Sequence, residues 1–181
     1  MLQDDVKEVL LTEKQLKEIV ARLGREITEA YEGKNLLMIG ILKGCVVFMS
    51  DLMRAVNLKC RIDFMAISSY GSGTKSSGNV RILKDLDIDL AGYDVLLVED
   101  ILDSGNTLSY VRSLLASRGA KSVKICTLLD KPSRRTADIT ADFVGTEIGD
   151  EFVIGYGLDF DEKYRNLPYL GVPYPYVYSG K

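Results

Sequence analysis

The residues most able to do chemistry stand together in Glu99-Asp100-Ile101-Leu102-Asp103-Ser104-Gly105-Asn106-Thr107, directly after the apolar run Val95-Leu96-Leu97-Val98. Glu99 and Asp100 are hard oxygen ligands for a divalent cation, or acceptors for sugar hydroxyls. The loop from Asp103 to Thr107 is small and hydroxylated. Gly105 lets the backbone approach a ligand or take a positive φ, while Ser104, Asn106 and Thr107 add side-chain donors to the free N–H groups of a helix start. Such a loop is a phosphate cradle. Phosphate, diol and Mg²⁺ sites side by side would hold a ribose 5-phosphate. The same residues would also serve simply to end a strand and cap a helix, so the rest of the chain must decide.

The elements that position this stretch can be read from periodicity. Four apolar residues before the acids fit a strand buried on both faces of a parallel sheet, with polar groups at its carboxyl end, where ligands bind in open α/β sheets. Two further strands deliver charge in the same way. Residues 36–42 end in Lys43-Gly44, and residues 123–129 end in Asp130-Lys131-Pro132-Ser133-Arg134-Arg135. A lysine at the end of a buried strand is costly unless it meets a ligand or carboxylate, the alternative being a solvated loop lysine. Alternating βαβ units with right-handed crossovers put these strand ends on one side of the sheet.

The flanking helices follow. A T-x-x-Q capping box at Thr12 opens a helix with Leu16, Ile19, Val20, Leu23, Ile27 and Tyr31 on one face, Gly33 as a stop, and Glu13/Lys17 and Glu18/Arg22 as i,i+4 pairs. An apolar helix is expected over 45–56, and another through Leu108, Val111, Leu114 and Leu115 to Gly119. Residues 59–68 and 80–83 read as strands around a Ser/Gly-rich loop, about 69–79. Because strand character resumes at once, that loop reads as a lid within one domain, with a flexible linker as the alternative. Short strands are expected in 143–148 and in the 152–166 region, and an extended tail over 168–178.

Composition bounds the rest. With 181 residues the chain suits a single domain, 1–181, able to bury roughly 70% of its unfolded surface. A net charge of −3 gives no general attraction to nucleic acid or anionic membranes. Cys45, Cys60 and Cys126 lie in apolar segments and read as small buried hydrophobes of a reduced cytoplasmic protein. The absence of histidine excludes Ser-His, Cys-His and ordinary zinc chemistry. No apolar run is long enough to span a bilayer, and Met1 to Asp5 lacks a signal pattern.

Taken together, these segments resemble the 6-oxopurine phosphoribosyltransferases of the hypoxanthine-guanine type, in their compact bacterial form. The resemblance rests on the Leu42-Lys43-Gly44 turn, the Ser69-Tyr70 loop start, the stretch from Val95 to Thr107, Lys131, and Phe152-Val153 through Gly155-Tyr156-Gly157-Leu158-Asp159 to Tyr164-Arg165. It implies the type I phosphoribosyltransferase fold: α/β, a mostly parallel twisted sheet flanked by helices. A small hood would come from about 130–181 with the N-terminal segment. It further implies Mg²⁺-dependent transfer from 5-phosphoribosyl-1-diphosphate to hypoxanthine or guanine, giving IMP or GMP plus diphosphate, by a homodimer or homotetramer.

Position by position, the resemblance gives Glu99 and Asp100 the ribose hydroxyls and a Mg²⁺, Asp103 the purine N7 proton, and Ser104, Gly105, Asn106 and Thr107 the 5′-phosphate. Lys43 and Gly44 would present backbone donors to diphosphate, in that family across a cis peptide, and Arg165 would pair with the same anion. Lys131 would donate to the purine 6-oxygen, Phe152 would stack on the ring, and the Val153 carbonyl would meet the guanine amine. Asp159 would hold a second Mg²⁺, and the Ser69-Tyr70 loop would close over the site. Ser104 and Asn106 stand where many eukaryotic members have threonine and lysine, which removes a charge beside the sugar phosphate. The rival readings are weaker. An RNA-binding regulator on this fold should show a basic face beyond Arg134-Arg135, and a phospho-accepting receiver domain needs an acidic pair where this chain has Lys43-Gly44.

Overall fold

The computed structural model describes residues 1–69 and 80–179. Tyr70 and the remainder of the expected lid lie outside these residues, and Ser69 is described only as the backbone end of a strand. In chain order the elements are β1 (Val6–Leu11), α1 (Glu13–Ala30), β2 (Leu36–Leu42), α2 (Val46–Ala55), β3 (Arg61–Ser69), β4 (Val80–Lys84), β5 (Asp94–Leu102), α3 (Asn106–Ser117), β6 (Ser122–Asp130), β7 (Phe143–Glu147), β8 (Leu170–Pro173) and α4 (Pro175–Tyr178).

The apolar runs become buried strands because neighbours cover both faces. One sheet runs β4-β3-β2-β5-β6-β7, parallel throughout except for the antiparallel β3–β4 pair at one edge. Successive side chains point to opposite faces. Leu36, Met38, Leu96, Val98, Cys126 and Leu128 pack into the core shared with α1 and α2. Leu37, Ile39, Val95, Leu97 and Ile125 pack on the other side with Leu108, Val111 and Leu115 of α3. The mostly parallel α/β arrangement expected from sequence is the observed one. No helix among the described residues is long and apolar enough to cross a membrane. All three cysteines are free, with Cys45 and Cys126 buried.

Helix α1 starts as its sequence dictates. Thr12 Oγ1 accepts from the Gln15 N–H at 3.3 Å while Gln15 Oε1 accepts from the Thr12 N–H at 2.8 Å. Lys17 pairs with Glu13 at 2.8 Å, as expected. The expected Glu18/Arg22 pair does not form. Arg22 instead bonds Glu26 at 2.8 Å and the carbonyls of Val144 and Gly145 at 3.0 and 2.6 Å. Strand β7 is the sheet edge, and its backbone carbonyls offer the guanidinium more than an exposed carboxylate does.

Two further expectations are corrected and one is met. Strand β5 carries its acids towards its carboxyl end as expected: β6 pairs with it as far as Leu102↔Asp130, so Glu99 and Asp100 lie inside the strand near that end. Pairing with β2 does end at Gly40↔Val98, and the gap that opens between β2 and β5 is the point where the chain's winding direction reverses, the usual place for a ligand crevice. The 152–166 region is held by single bridges, Gly155↔Leu158 and Phe160↔Lys163 among them, because positive φ at Gly155, Tyr156, Gly157, Asp161, Glu162 and Tyr164 breaks any extended run. The 168–178 tail is not simply extended. Its β8 segment pairs antiparallel with β1, and Pro175 then starts the short α4.

Candidate functional site

Two adjoining cavities open where β2, β5 and β6 end, and both are lined by Ile101 and Asp103. The first, 230 Å³, is also lined by Leu42, Ile67, Glu99, Ser104 and Thr107. The second, likewise 230 Å³, takes in Asp100, Lys131, Phe152, Val153 and Asp159. Residues more than a hundred positions apart in the chain thus line one continuous crevice, with Asp103 between its two halves.

The carboxylates at the crevice floor are unusual for their burial. Glu99 Oε2 is buried without a hydrogen-bond partner. Burial pushes the Glu99 carboxyl well above its ordinary value, and the adjacent Asp100 adds to the shift. Burial also raises Asp100, to about 6, against the opposing pull of backbone N–H groups and of Arg165. An acid pair desolvated in this way is stabilised as carboxylates only when a cation or hydroxyl donors meet it.

Beyond β5 the loop turns into α3 at Gly105, which has φ +82° and caps the helix without a side chain. The first turn of α3 therefore begins at the loop mouth, where the Asn106 N–H donates to Ser104 Oγ at 3.5 Å and Thr107 follows directly. A Cβ at Gly105 would lie 2.4 Å from Ile139 Cγ2, so the loop is pressed against the 135–139 segment. Arg135 secures that contact: Nε donates to the Asp103 carbonyl at 2.9 Å, the two terminal nitrogens reach the Ile139 and Leu102 carbonyls at 2.6 and 3.2 Å, and the guanidinium also pairs with Asp130. The Thr136 and Ala137 N–H groups both donate to the Ser104 carbonyl at 3.0 Å. In sequence Arg135 showed only as one of two basic residues after a strand. Its Arg135→Met variant should lose about 3 kcal/mol in a denaturant titration, because Asp130 and the Asp103 and Ile139 carbonyls are left without this donor in a poorly hydrated place, while the Leu102 carbonyl keeps the Lys131 N–H.

The turn after β2 reaches the same floor. The Leu42–Lys43 peptide is cis, and Gly44 sits so close to Asp100 that a Cβ there would fall 1.8 Å from Oδ2. The Lys43 side chain leaves the crevice and meets Glu162 at 2.8 Å. Glu162 was not singled out by sequence, because nothing in the pattern around it distinguishes it from any exposed acid. It also lies 3.3 Å from Arg165, whose guanidinium bonds Asp159 at 2.9 Å and the Gly157 carbonyl at 2.8 Å. Lys43, Asp159, Glu162 and Arg165 form one polar strip along the crevice rim.

At the other end Lys131 is buried, with Nζ donating to the Glu151 carbonyl at 2.6 Å. An ammonium has three donors, so two remain for a ligand or water. Phe152 is 40% exposed, with Phe160 edge-on at 5.9 Å and Tyr178 at 5.3 Å between ring centroids. Val153 is buried beside it. Asn106 is exposed at the start of α3. Of the residues singled out by sequence, Lys43, Gly44, Glu99, Asp100, Asp103 to Thr107, Lys131, Phe152, Val153, Asp159 and Arg165 all border this crevice or its rim. Tyr70 and the Ser69 side chain are outside the described residues.

Comparison with known proteins adds to this geometry. Residues 7–161 match the phosphoribosyl transferase domain family. The chain is 53% identical over 179 residues to the hypoxanthine-guanine phosphoribosyltransferase of Bacillus subtilis, covering 99% of each chain. It is also 53% identical to part of the bifunctional protein TilS/HprT of Listeria monocytogenes, where 98% of this chain spans 28% of the longer protein. A crystal structure of a hypoxanthine phosphoribosyltransferase from Staphylococcus aureus superposes with a TM-score of 0.95 at 53% identity, covering 97% of this chain and 96% of the other.

Proposed function

We propose a purine-salvage activity for this chain, which belongs to the phosphoribosyl transferase family. The reaction is transfer of the 5-phosphoribosyl group from 5-phosphoribosyl-1-diphosphate to hypoxanthine or guanine, giving IMP or GMP and diphosphate. The observation behind this reading is the divided crevice. A carboxylate pair and a helix-start loop line one half, a buried lysine beside an exposed aromatic ring lines the other, and Asp103 stands where the halves meet.

On this reading the parts divide as follows. Ser104 to Thr107 take the 5′-phosphate, and Glu99 and Asp100 the ribose hydroxyls. Lys43 and Gly44 offer backbone donors to the diphosphate, with Arg165 as its cation. As purine N9 forms its bond to the anomeric carbon, the bond to diphosphate breaks and that group leaves with the electron pair. The N7 proton passes to the Asp103 carboxylate. Negative charge grows on the leaving group, so donors placed there in advance favour the transition state. Phe152 stacks on the base and the Val153 carbonyl accepts from the guanine amine.

The donor set also fits Mg²⁺. Glu99 with Asp100 would hold one ion and Asp159 a second; all three supply only oxygen, Glu99 Oε2 is buried without a partner, and this ion is commonly held by one or two carboxylates together with substrate phosphates. When bound, Mg²⁺ would neutralise the negative charge that grows on the leaving diphosphate. Work as a homodimer or homotetramer in the cytoplasm completes the proposal.

Lys131 should set base choice. Its buried ammonium meets the 6-oxygen of hypoxanthine or guanine, whereas the 6-amino group of adenine would face it donor to donor. Incubation of radiolabelled hypoxanthine, guanine and adenine with 5-phosphoribosyl-1-diphosphate and Mg²⁺ is expected to give IMP and GMP, with adenine turned over at least ~10³-fold more slowly. Nucleotide from none of the bases, or AMP at a comparable rate, overturns the reading.

A further inference from the structure

The Arg165 loop is built from conformations that proteins seldom use. Asp161, Glu162 and Tyr164 have φ of 53°, 61° and 76°, in the left-handed region that ordinary side chains disfavour. Such a run persists only where its surroundings hold it. Within the loop, Glu162 N donates to Asp159 Oδ2 at 2.9 Å, and the Phe160 and Lys163 backbones bond each other at 3.2 and 3.0 Å. From outside it, the Tyr164 hydroxyl donates to Asp5 Oδ2 at 2.7 Å. Asp5 belongs to the short turn before β1, far from the crevice in sequence.

Asp5 does more than accept one bond. Its Oδ1 accepts from the Tyr176 hydroxyl of α4 at 3.0 Å, and its carbonyl accepts from the Tyr174 N–H at 2.9 Å. One residue therefore fastens the amino-terminal segment, the carboxyl-terminal segment and the loop together. Tyr164 immediately precedes Arg165, whose Nε is buried without a partner and whose terminal nitrogens hold Gly157 O, Asp159 and Glu162. The direction of that guanidinium depends on the backbone that Tyr164 anchors.

We infer that Asp5 is a positioning residue for the diphosphate-side cation, acting through Tyr164 on Arg165. The inference rests on the reading of Arg165 given above. It predicts an effect centred on the donor side, which Tyr164→Phe isolates because α4, whose Tyr178 packs on Phe152, then keeps its Tyr176 bond to Asp5. A purely structural clasp would lower stability and leave both substrates bound as before.

The test uses the full chain. Asp5→Ala should raise the KM for 5-phosphoribosyl-1-diphosphate about tenfold, equivalent to about 1.4 kcal/mol, with kcat and the KM for hypoxanthine within about twofold. Tyr164→Phe keeps the ring and should give the same shift, and the double variant should add nothing further. Asp5→Asn, whose amide oxygen still accepts from a tyrosine, should recover most of the loss. Tyr176→Phe spares the Tyr164 bond and should leave the donor KM unchanged. Amide hydrogen exchange over residues 159–166 should quicken in Asp5→Ala and Tyr164→Phe.

An unchanged donor KM, an equal rise for both substrates, additive effects in the double variant, or the same shift from Tyr176→Phe overturns the inference. So does unchanged exchange over 159–166, a readout that needs no turnover. Should Asp5→Ala fail to fold, Tyr164→Phe and Asp5→Asn decide the matter. A wild-type chain that makes no nucleotide counts instead against the substrate reading, which exchange does not address.

Discussion

An Asp103→Asn variant is expected to bind both substrates and lose about 10²- to 10⁴-fold in kcat, the usual contribution of a positioned acid–base group. The two side chains are nearly the same size, and the structural duties of residue 103 fall on its backbone. Its carbonyl accepts from Arg135 Nε at 2.9 Å, a bond that the substitution does not touch. The side chain itself is exposed at the junction of the two cavities, so the exchange leaves no hole and strands no buried partner. What changes is proton affinity. A carboxylate can take the purine N7 proton as the new bond forms at N9, and an amide cannot. Steady-state kinetics would show the loss in kcat with little change in either KM, and calorimetry should find IMP bound about as tightly as by the wild type. A rate within a few-fold of the wild type removes the proton-acceptor role from Asp103.

The parts of the site that sequence made visible are those whose chemistry is local. Glu99 to Thr107 lie within nine consecutive residues, and the fully apolar strand before them announces both a buried parallel sheet and the end at which ligands gather. Lys131 was visible for the same reason, as a charge where an apolar run stops. The functional neighbours that stayed hidden depend on contacts across the fold. Arg135 matters because it spans the Asp103 and Leu102 carbonyls, and Glu162 because it lies between Lys43 and Arg165. Neither relation leaves a spacing signature.

The fold shows the same division. The helix start at Thr12 was legible because its capping box is contained in four residues. Strand β1 was missed because Val6–Leu11 is half exposed and exists by pairing with Leu170–Pro173 at the other end of the chain. The Glu18/Arg22 pair failed likewise: helical spacing permitted it, and a sheet edge made of Val144 and Gly145 took the arginine instead.

Gly44→Ala tests the most confined point of the crevice, and it should cost about 10²-fold or more in kcat/KM for 5-phosphoribosyl-1-diphosphate. A methyl group there would lie 1.8 Å from Asp100 Oδ2 and 2.8 Å from its Cγ, so one of the two must move. Asp100 has little freedom to do so: it is 8% exposed and its Oδ1 accepts from the Ile101 N–H at 2.8 Å. Nor can the turn retreat on its far side, where Gly157 is so close that a Cβ on it would come 2.2 Å from the Gly44 carbonyl. The strand-end turn is thus wedged between Asp100, the proposed acceptor of the ribose hydroxyls, and the loop that carries Arg165. A displacement of about 1 Å in such a place is enough for a hundredfold loss. Gly33→Ala makes the contrast, since that glycine has φ +73° with nothing within 4 Å of a Cβ. It should cost about 1 kcal/mol in a denaturant titration and leave kcat/KM unchanged. If Gly44→Ala kept its donor kcat/KM within threefold of the wild type, the turn would not be the rigid diphosphate contact described here.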